Sequence, residues 1–345
     1  MKTNIFGKTA QGKDVTEYVI ENKNGMAIHL LDFGAILHRI YIPCKDGSKK
    51  DVALTCPDME VYAVNDTYLG STIAPNANRI GKAKLKIDNV EYSMEVNDGE
   101  NNLHTAFDTG MNKRLWKAEA SDDCVRFSAT LSDGEFGLPG DRELSVTYTL
   151  TDDNEIKIDY SGTSNKNTII NMTNHTYFNL KGHGNGDILD HELWLNAKTF
   201  TMPDDGGIPT GEIASVSGTP LDFTKMKPIR RDNDITNPIM ALVNGYDHNY
   251  CIDDWTGEIK KVAEVKEPES SVVMEVYSDL PGIQFYSGNY VKDTAGKDGK
   301  VYQKNYGLCL ETQYYPDHIN HPEFPQAVFG PDREYKTTTV YKFIF

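Results

Sequence analysis

Ten consecutive residues, Asn171-Met172-Thr173-Asn174-His175-Thr176-Tyr177-Phe178-Asn179-Leu180, hold the densest chemistry in this 345-residue chain. Read as an extended strand, the run turns Asn171, Thr173, His175, Tyr177 and Asn179 to one face. Met172, Phe178 and Leu180 fall on the other and suit a core. His175 stands out because an imidazole both gives and takes a proton near neutral pH. Alone, it would read as a hydrogen-bonded structural histidine. Other polar clusters accompany it. Asn76-Ala77-Asn78-Arg79-Ile80-Gly81 sets an amide beside a guanidinium, and Asn101-Asn102-Leu103-His104 ends a hairpin region. Gly245-Tyr246-Asp247-His248-Asn249-Tyr250 and Gln284-Phe285-Tyr286-Ser287-Gly288-Asn289 mix donors, acceptors and aromatic rings. Leu308-Cys309-Leu310-Glu311-Thr312-Gln313 sets Glu311 opposite Leu308 and Leu310. Any one of these reads as a surface turn or a solvated strand charge. Together they supply what is needed to grip several hydroxyls while planar rings cover an apolar sugar face.

The elements that must position these groups are strands. Ile36, Ile40 and Ile42 share a face before the turn Lys45-Asp46-Gly47, and Val52-Ala53-Leu54 returns. Leu85 and Ile87 lead through Asp88-Asn89 into alternating Val90, Tyr92, Met94 and Val96, a half-buried hairpin pattern. The runs Val125-Leu131, Leu144-Leu150 and Ile156-Tyr160 repeat the theme with turn residues between them, predicting an antiparallel meander. Helical signals are short: Cys56 to Val64, and Ile239 to Val243 with Asn237 as cap and Pro238 at the first position. No amphipathic helices separate the strands, which disfavours a doubly wound α/β fold. Thr294 to Lys300 reads as a surface loop, and no linker or compositional break divides the chain. The expectation is one all-β domain over residues 1–345.

Composition excludes several functions. The net charge of −16 repels nucleic acid and anionic membrane surfaces. No uncharged apolar run is long enough to span a bilayer, and the N-terminus lacks an export signal. Five scattered cysteines, Cys44, Cys56, Cys124, Cys251 and Cys309, form no C-x-x-C pair and fit reduced thiols in the cytoplasm. Cys309, between two leucines, reads as an inert core thiol. His175, His183 and His191 recur at a spacing that is neither helical nor that of a zinc finger, and His318 and His321 beside Asp317 sit in a proline-flanked loop. No phosphate-binding glycine loop occurs. Neither metal nor cofactor is expected.

Four motifs, Asn78-Arg79-Ile80, Asn174-His175-Thr176-Tyr177-Phe178-Asn179-Leu180, Gly245-Tyr246-Asp247-His248 and Leu310-Glu311-Thr312-Gln313, stand in the order found in the aldose 1-epimerases. The chain resembles that family from Phe6-Gly7 to Tyr335. The resemblance implies a large antiparallel β-sandwich of the galactose mutarotase type, with few short helices and an open, cofactor-free sugar cleft. It implies that Glu311 is the general base on the anomeric hydroxyl and His175 the general acid on the ring oxygen of a free hexose such as galactose or glucose. His104 and Arg79 match residues that hold the ring oxygen and nearby hydroxyls, and Asp247 a carboxylate that grips hydroxyls. Asn78, Tyr177 and Gln284 match further sugar contacts. The chain departs from the family at Thr105-Ala106, where glycines are usual, and at Ala74-Pro75-Asn76-Ala77, where a Gly-Arg-aromatic run is commoner. Both changes bear on the cleft rim.

Opening a hemiacetal needs a base and an acid flanking one C–O unit, with neither nucleophile nor metal. A negative Glu311 close to His175 predicts a raised imidazole pKa. Three rivals make different demands. A glycosidase would use Asp247 and Glu311 as its carboxylate pair, and a binding module would need no acid–base couple. A hexose phosphate epimerase would bring cations such as Lys225, Lys227, Arg230 and Arg231 to the cleft. Oligomeric state and sugar preference are left open by the sequence.

Overall fold

Alternating apolar residues form strands wherever the sequence supplies a turn to reverse them. The computed structural model describes residues 1–345 and contains two short α-helices, Met59–Val64 and Pro238–Leu242, among many strands. Val125 and Phe127 in Cys124–Leu131, Val146 and Tyr148 in Arg142–Leu150, and Ile156 and Ile158 in Glu155–Ser164 are all sealed from solvent. These strands are consecutive neighbours in a nine-stranded antiparallel sheet. The C-terminal strand Tyr335–Ile344 enters the middle of that sheet, between Glu155–Ser164 and Val273–Ser278.

Two five-stranded sheets face this frame. The first is a meander in chain order from Lys2–Lys8 to Lys49–Asp51. The second runs Pro209–Ser215, Thr199–Pro203, Asp247–Cys251, Gly282–Tyr286, Cys309–Gln313. A core of 57 residues takes side chains from all three sheets, among them Ile28, Tyr148, Phe285 and Tyr341. Polar ties cross it: the Tyr341 hydroxyl donates to the Leu310 carbonyl, and the Tyr148 hydroxyl to that of Ala35. The strand that carries Glu311 is therefore backed by the centre of the largest sheet.

Turn and cap chemistry acts where the residues predict it. Asp88 and Asn89 both take left-handed φ angles, of 50° and 64°, as a tight two-residue hairpin between Lys84–Ile87 and Val90–Ser93 demands. Asp58 caps the first helix by accepting from Val61 N, and Asn237 caps the second with Pro238 at its first position, each cap contributing about 1 kcal/mol.

Three expectations change. The run 171–180 is not one strand: Thr173–Asn174 pairs with Thr72–Ile73, and Tyr177–Phe178 pairs with Ala53–Leu54. Regular strand is interrupted at His175 and Thr176, although His175 N still donates to the Ser71 carbonyl and Gly70 N to that of His175, and the run is buried on both sides. Val90 and Val96 are exposed, so only the inner half of that hairpin pattern packs. Thr294 to Lys300 is no plain surface loop, because Lys297 is fully buried and donates to Asp51 and to the His38 carbonyl. A buried ammonium needs such partners. No helix of the chain is long and apolar enough to cross a membrane.

Candidate active site

Strand ends and loop tips converge on a cleft of about 120 Å³. Its lining includes all eight residues singled out from the sequence: Asn78, Arg79, His104, His175, Tyr177, Asp247, Gln284 and Glu311. A larger depression of about 640 Å³ lies over the nine-stranded sheet around Ser128, Ser145 and Thr163, and its lining has no histidine.

Adjacent strands deliver the acidic and amide side chains. Glu311 pairs with Gln284 across the sheet, and Gln284 with Asn249 on its other side. Asp247 begins its strand just after Gly245, which adopts φ 136° and whose Cβ, if present, would lie 2.5 Å from Asn289 Oδ1. Glycine is required there for both space and conformation. Gln284 Nε2 donates to Asp247 Oδ1 at 2.7 Å, and Arg79 Nη1 stands 4.0 Å from Asp247 Oδ2. That gap is wide for a direct hydrogen bond and leaves room for a hydroxyl to bridge. Arg79 Nε donates to Asp98 at 2.8 Å.

His175 Nε2 lies 3.7 Å from Glu311 Oε1. The imidazole stacks on Tyr177 and Tyr68 at centroid distances of 5.1 and 5.9 Å and meets His104 edge-on at 5.3 Å. Cys309 Sγ sits 3.5 Å from its Nδ1. Glu311 is 2% exposed, and its Oε2 has no hydrogen-bond partner. A buried carboxylate oxygen left free in a polar cleft is poised to accept from a ligand.

His104 has a defined tautomer. Its Nδ1 accepts from the Asn78 amide at 3.1 Å, so the proton of the neutral ring is on Nε2, which is a donor. His104, His175 and Glu311 could bring ligand atoms within 4.8 Å of one another. A cation at His104 Nε2 would have to displace the proton that the Asn78 contact keeps there, so the trio suits an oxygen acceptor better than a metal.

Burial sets the electrostatics. It pushes His175 down to about 4, opposite to the raised value expected from Glu311, because burial penalises the imidazolium and the raised Glu311 is itself held in its neutral form. It pushes Glu311 well above the ordinary carboxylate range, reinforced by Asp247 and opposed by Arg79. His104 falls well below its usual value through burial and the neighbouring His175 and Arg79. Burial also raises Asp247 against the pull of Arg79. Arg79, despite its own desolvation, is held charged by Asp247 and Asp98.

Not every polar residue of the 171–180 run faces the cleft. Asn171 and Asn179 donate to backbone carbonyls, and Thr173 to the Thr312 carbonyl. Tyr177 lends its ring, while its hydroxyl donates to the Thr67 carbonyl. Tyr286, from the cluster at 284–289, also lines the cleft; Tyr68 and Tyr290 line it too and were not evident from sequence, since isolated tyrosines carry no spacing signal. Gln313, the last residue of the Leu310-Glu311-Thr312-Gln313 motif, had no role assigned from sequence and is fully buried. It accepts from Asn78 Nδ2 at 3.4 Å and donates to Asn249 Oδ1 and Gln284 Oε1.

Three further histidines, outside the cleft lining, are bonded within the fold. His183 contacts Tyr302 and Asp298, His191 accepts from Leu180 N, and His321 contacts Asp317 and the Pro209 carbonyl.

An all-β frame with a carboxyl group and an imidazole facing a polar cleft agrees with a carbohydrate-directed enzyme of the isomerase class, which the family matches show. The chain belongs to the aldose 1-epimerase family, whose model matches residues 16–342. It is 37% identical over 340 residues to the galactose mutarotase of Mus musculus, covering 98% of this chain and 97% of that one. It is equally 37% identical over 329 residues to the aldose 1-epimerase of Escherichia coli, covering 94% of each. Among solved structures, a galactose 1-epimerase from Lactobacillus acidophilus superposes with TM-score 0.85 at 27% identity, covering 100% of this chain and 99% of that one. An aldose epimerase homologue of C. elegans gives 0.87 at 28% identity, covering 95% and 98%. The fold is thus of the galactose mutarotase type.

Proposed function

We propose that this protein interconverts the α and β anomers of free hexoses such as galactose or glucose, with Glu311 and His175 as the proton-transfer couple. The observation that carries this reading is the 3.7 Å approach of His175 Nε2 to Glu311 Oε1 beside the unpartnered Oε2. Glu311 takes the proton of the anomeric hydroxyl as His175 delivers one to the ring oxygen. The bond between the anomeric carbon and the ring oxygen breaks, its electron pair stays on that oxygen, and an aldehyde forms. Rotation about the neighbouring carbon–carbon bond exposes the other carbonyl face. The two groups then return their protons in the opposite sense and the ring closes.

The protonation states fit this cycle. The couple works with one shared proton. Burial favours the uncharged form, with that proton on Glu311 and a neutral imidazole. This is also the state of the couple after ring opening. Hydroxyls of the cyclic sugar replace water around both groups and lower the cost of the charged form. His104 Nε2–H is the donor to the ring oxygen or its neighbour. Arg79 and Asp247 grip hydroxyls from opposite charges, Asn78 and Gln284 supply amides, and Tyr177 covers an apolar sugar face.

Residues 1–345 act as a single catalytic domain in this reading, with a monosaccharide as partner and no nucleic acid, given the charge of −16. Five unpaired cysteines fit a cytoplasmic setting. Polarimetry of freshly dissolved α-galactose and α-glucose, with wild-type protein and Glu311→Gln, tests the proposal. Equal rates with and without wild-type enzyme would refute it for these sugars.

A further inference from the structure

Thr105 occupies a backbone conformation that its side chain opposes. Its φ is 73°, next to His104 at 52°, and Asn78 on the facing loop has φ 62°. Asparagine visits this left-handed region readily, whereas a β-branched residue there is an outlier. Strain of this kind persists only when surrounding structure over-determines it, and it concentrates at functional sites. A glycine would take the same conformation freely.

The hydroxyl of Thr105 makes bonds that a glycine could not. Thr105 is fully buried, and its Oγ1 accepts from Asn76 N at 3.0 Å while donating to the Asn76 carbonyl at 2.8 Å. Asn102 Nδ2 fixes the Thr105 carbonyl at 2.7 Å. Two residues along, the loops are joined again by reciprocal bonds: Asn78 N to His104 Nδ1, and His104 N to the Asn78 carbonyl, both at 3.1 Å. The segment is also tied to the catalytic run, since Ala77 N donates to the Asn171 carbonyl and Asn171 N to that of Pro75. The two departures from the family pattern, at Asn76 and Thr105, are therefore bonded to each other.

We propose that Thr105 is a positioning residue whose hydroxyl clamps the Asn76–Asn78 segment so that the Asn78 amide stays on His104 Nδ1. The consequence is a His104 ring held with its proton on Nε2 and directed at the sugar. The catalytic consequence rests on the reading of His104 as a sugar donor; the clamp itself does not.

Three substitutions separate strain from clamp. Thr105→Ser keeps the hydroxyl and is expected to retain wild-type kcat and KM within about twofold. Thr105→Gly removes both strain and hydroxyl; its Tm is expected to equal or exceed that of the wild type while kcat/KM falls about tenfold. Thr105→Val removes only the hydroxyl and should lose activity similarly. Nitrogen-15 NMR of the imidazoles provides the readout that a merely structural role would not move. His104 is expected as the pure Nε2–H tautomer in wild type and Thr105→Ser, and as a mixture in the glycine and valine variants. An unchanged tautomer in Thr105→Gly overturns the inference. A fully active His104→Ala would overturn the role of His104 instead, leaving the clamp to be judged by the tautomer alone.

Discussion

His175 Nε2 stands 3.7 Å from Glu311 Oε1, and both side chains are nearly sealed from water. At that separation a sugar oxygen can approach each group while a proton moves through the substrate from one to the other. The couple's pKa order, with Glu311 pushed up and His175 down to about 4, makes the singly protonated pair the working form.

The pH profile follows. Activity above the buffer rate should persist to low pH and fall only as His175 gains a second proton near about 4. On the alkaline side it should fall as the pair loses its one proton from the raised Glu311. Rates of kcat/KM across pH, corrected for uncatalysed mutarotation, check this. An acid limb centred at the ordinary imidazole value of about 6.5 would contradict it.

Stability should respond to acid through the buried histidines. His175, His191, His248 and His318 are each pushed down to about 4 by burial. The unfolded chain binds protons at these sites near pH 6.5, whereas the folded chain does not until about 4, so falling pH favours unfolding through that window. Each contributes about 1.4 kcal/mol per pH unit within it. Urea unfolding at pH 7, 6 and 5 should show a steep loss of stability; a flat result would mean these rings are not held neutral.

Gln313 does not itself line the cleft yet joins Asn78, Asn249 and Gln284 in one amide relay that ends on Asp247. Gln284→Met removes a donor to a carboxylate and should raise KM about tenfold or more with a smaller change in kcat. Gln313→Met should do the same by freeing Gln284. If the relay is real, the double variant is no worse than Gln284→Met alone. Additive losses in KM would show that the two act separately.

Phosphorylated sugars should be poor substrates. Arg79 is the only lysine or arginine lining the cleft and the adjoining groove of about 410 Å³, which carry Asp66, Asp98, Glu100, Asp204, Asp205 and Asp247. The basic cluster of the sequence is spent elsewhere: Lys227 and Arg231 bind Asp232, and Arg230 binds Asp187 and Asp190. Glucose 6-phosphate should show kcat/KM at least about tenfold below glucose, because a dianion meets carboxylates without matching cations. Equal values would place an unrecognised cation at the site.

The sheets and the eight lining residues were legible because strand alternation and motif order are local properties of the chain. What was not legible depends on partners distant in sequence. Lys297 reads as a loop charge until Asp51 is seen beside it, 246 residues away. The polar face of the 171–180 run looked like a site, yet Asn171, Thr173 and Asn179 satisfy backbone groups brought in by folding. The sign of the His175 shift depended on burial, which lowers the imidazole, keeps Glu311 neutral and has no signature in residue type. Tyr68 was silent for the same reason, and Gln313 stood in a motif without a legible role: neighbours define both.

The central claim is that Glu311 is the base of an anomer-interconverting couple. Polarimetry of fresh α-galactose and α-glucose with equal amounts of wild-type and Glu311→Gln protein tests it most directly. The account predicts rapid equilibration by the wild type and a loss of at least about a hundredfold in the variant, the low end of what a general base supplies, with folding intact by circular dichroism. A folded Glu311→Gln enzyme that equilibrates either sugar at the wild-type rate would contradict it.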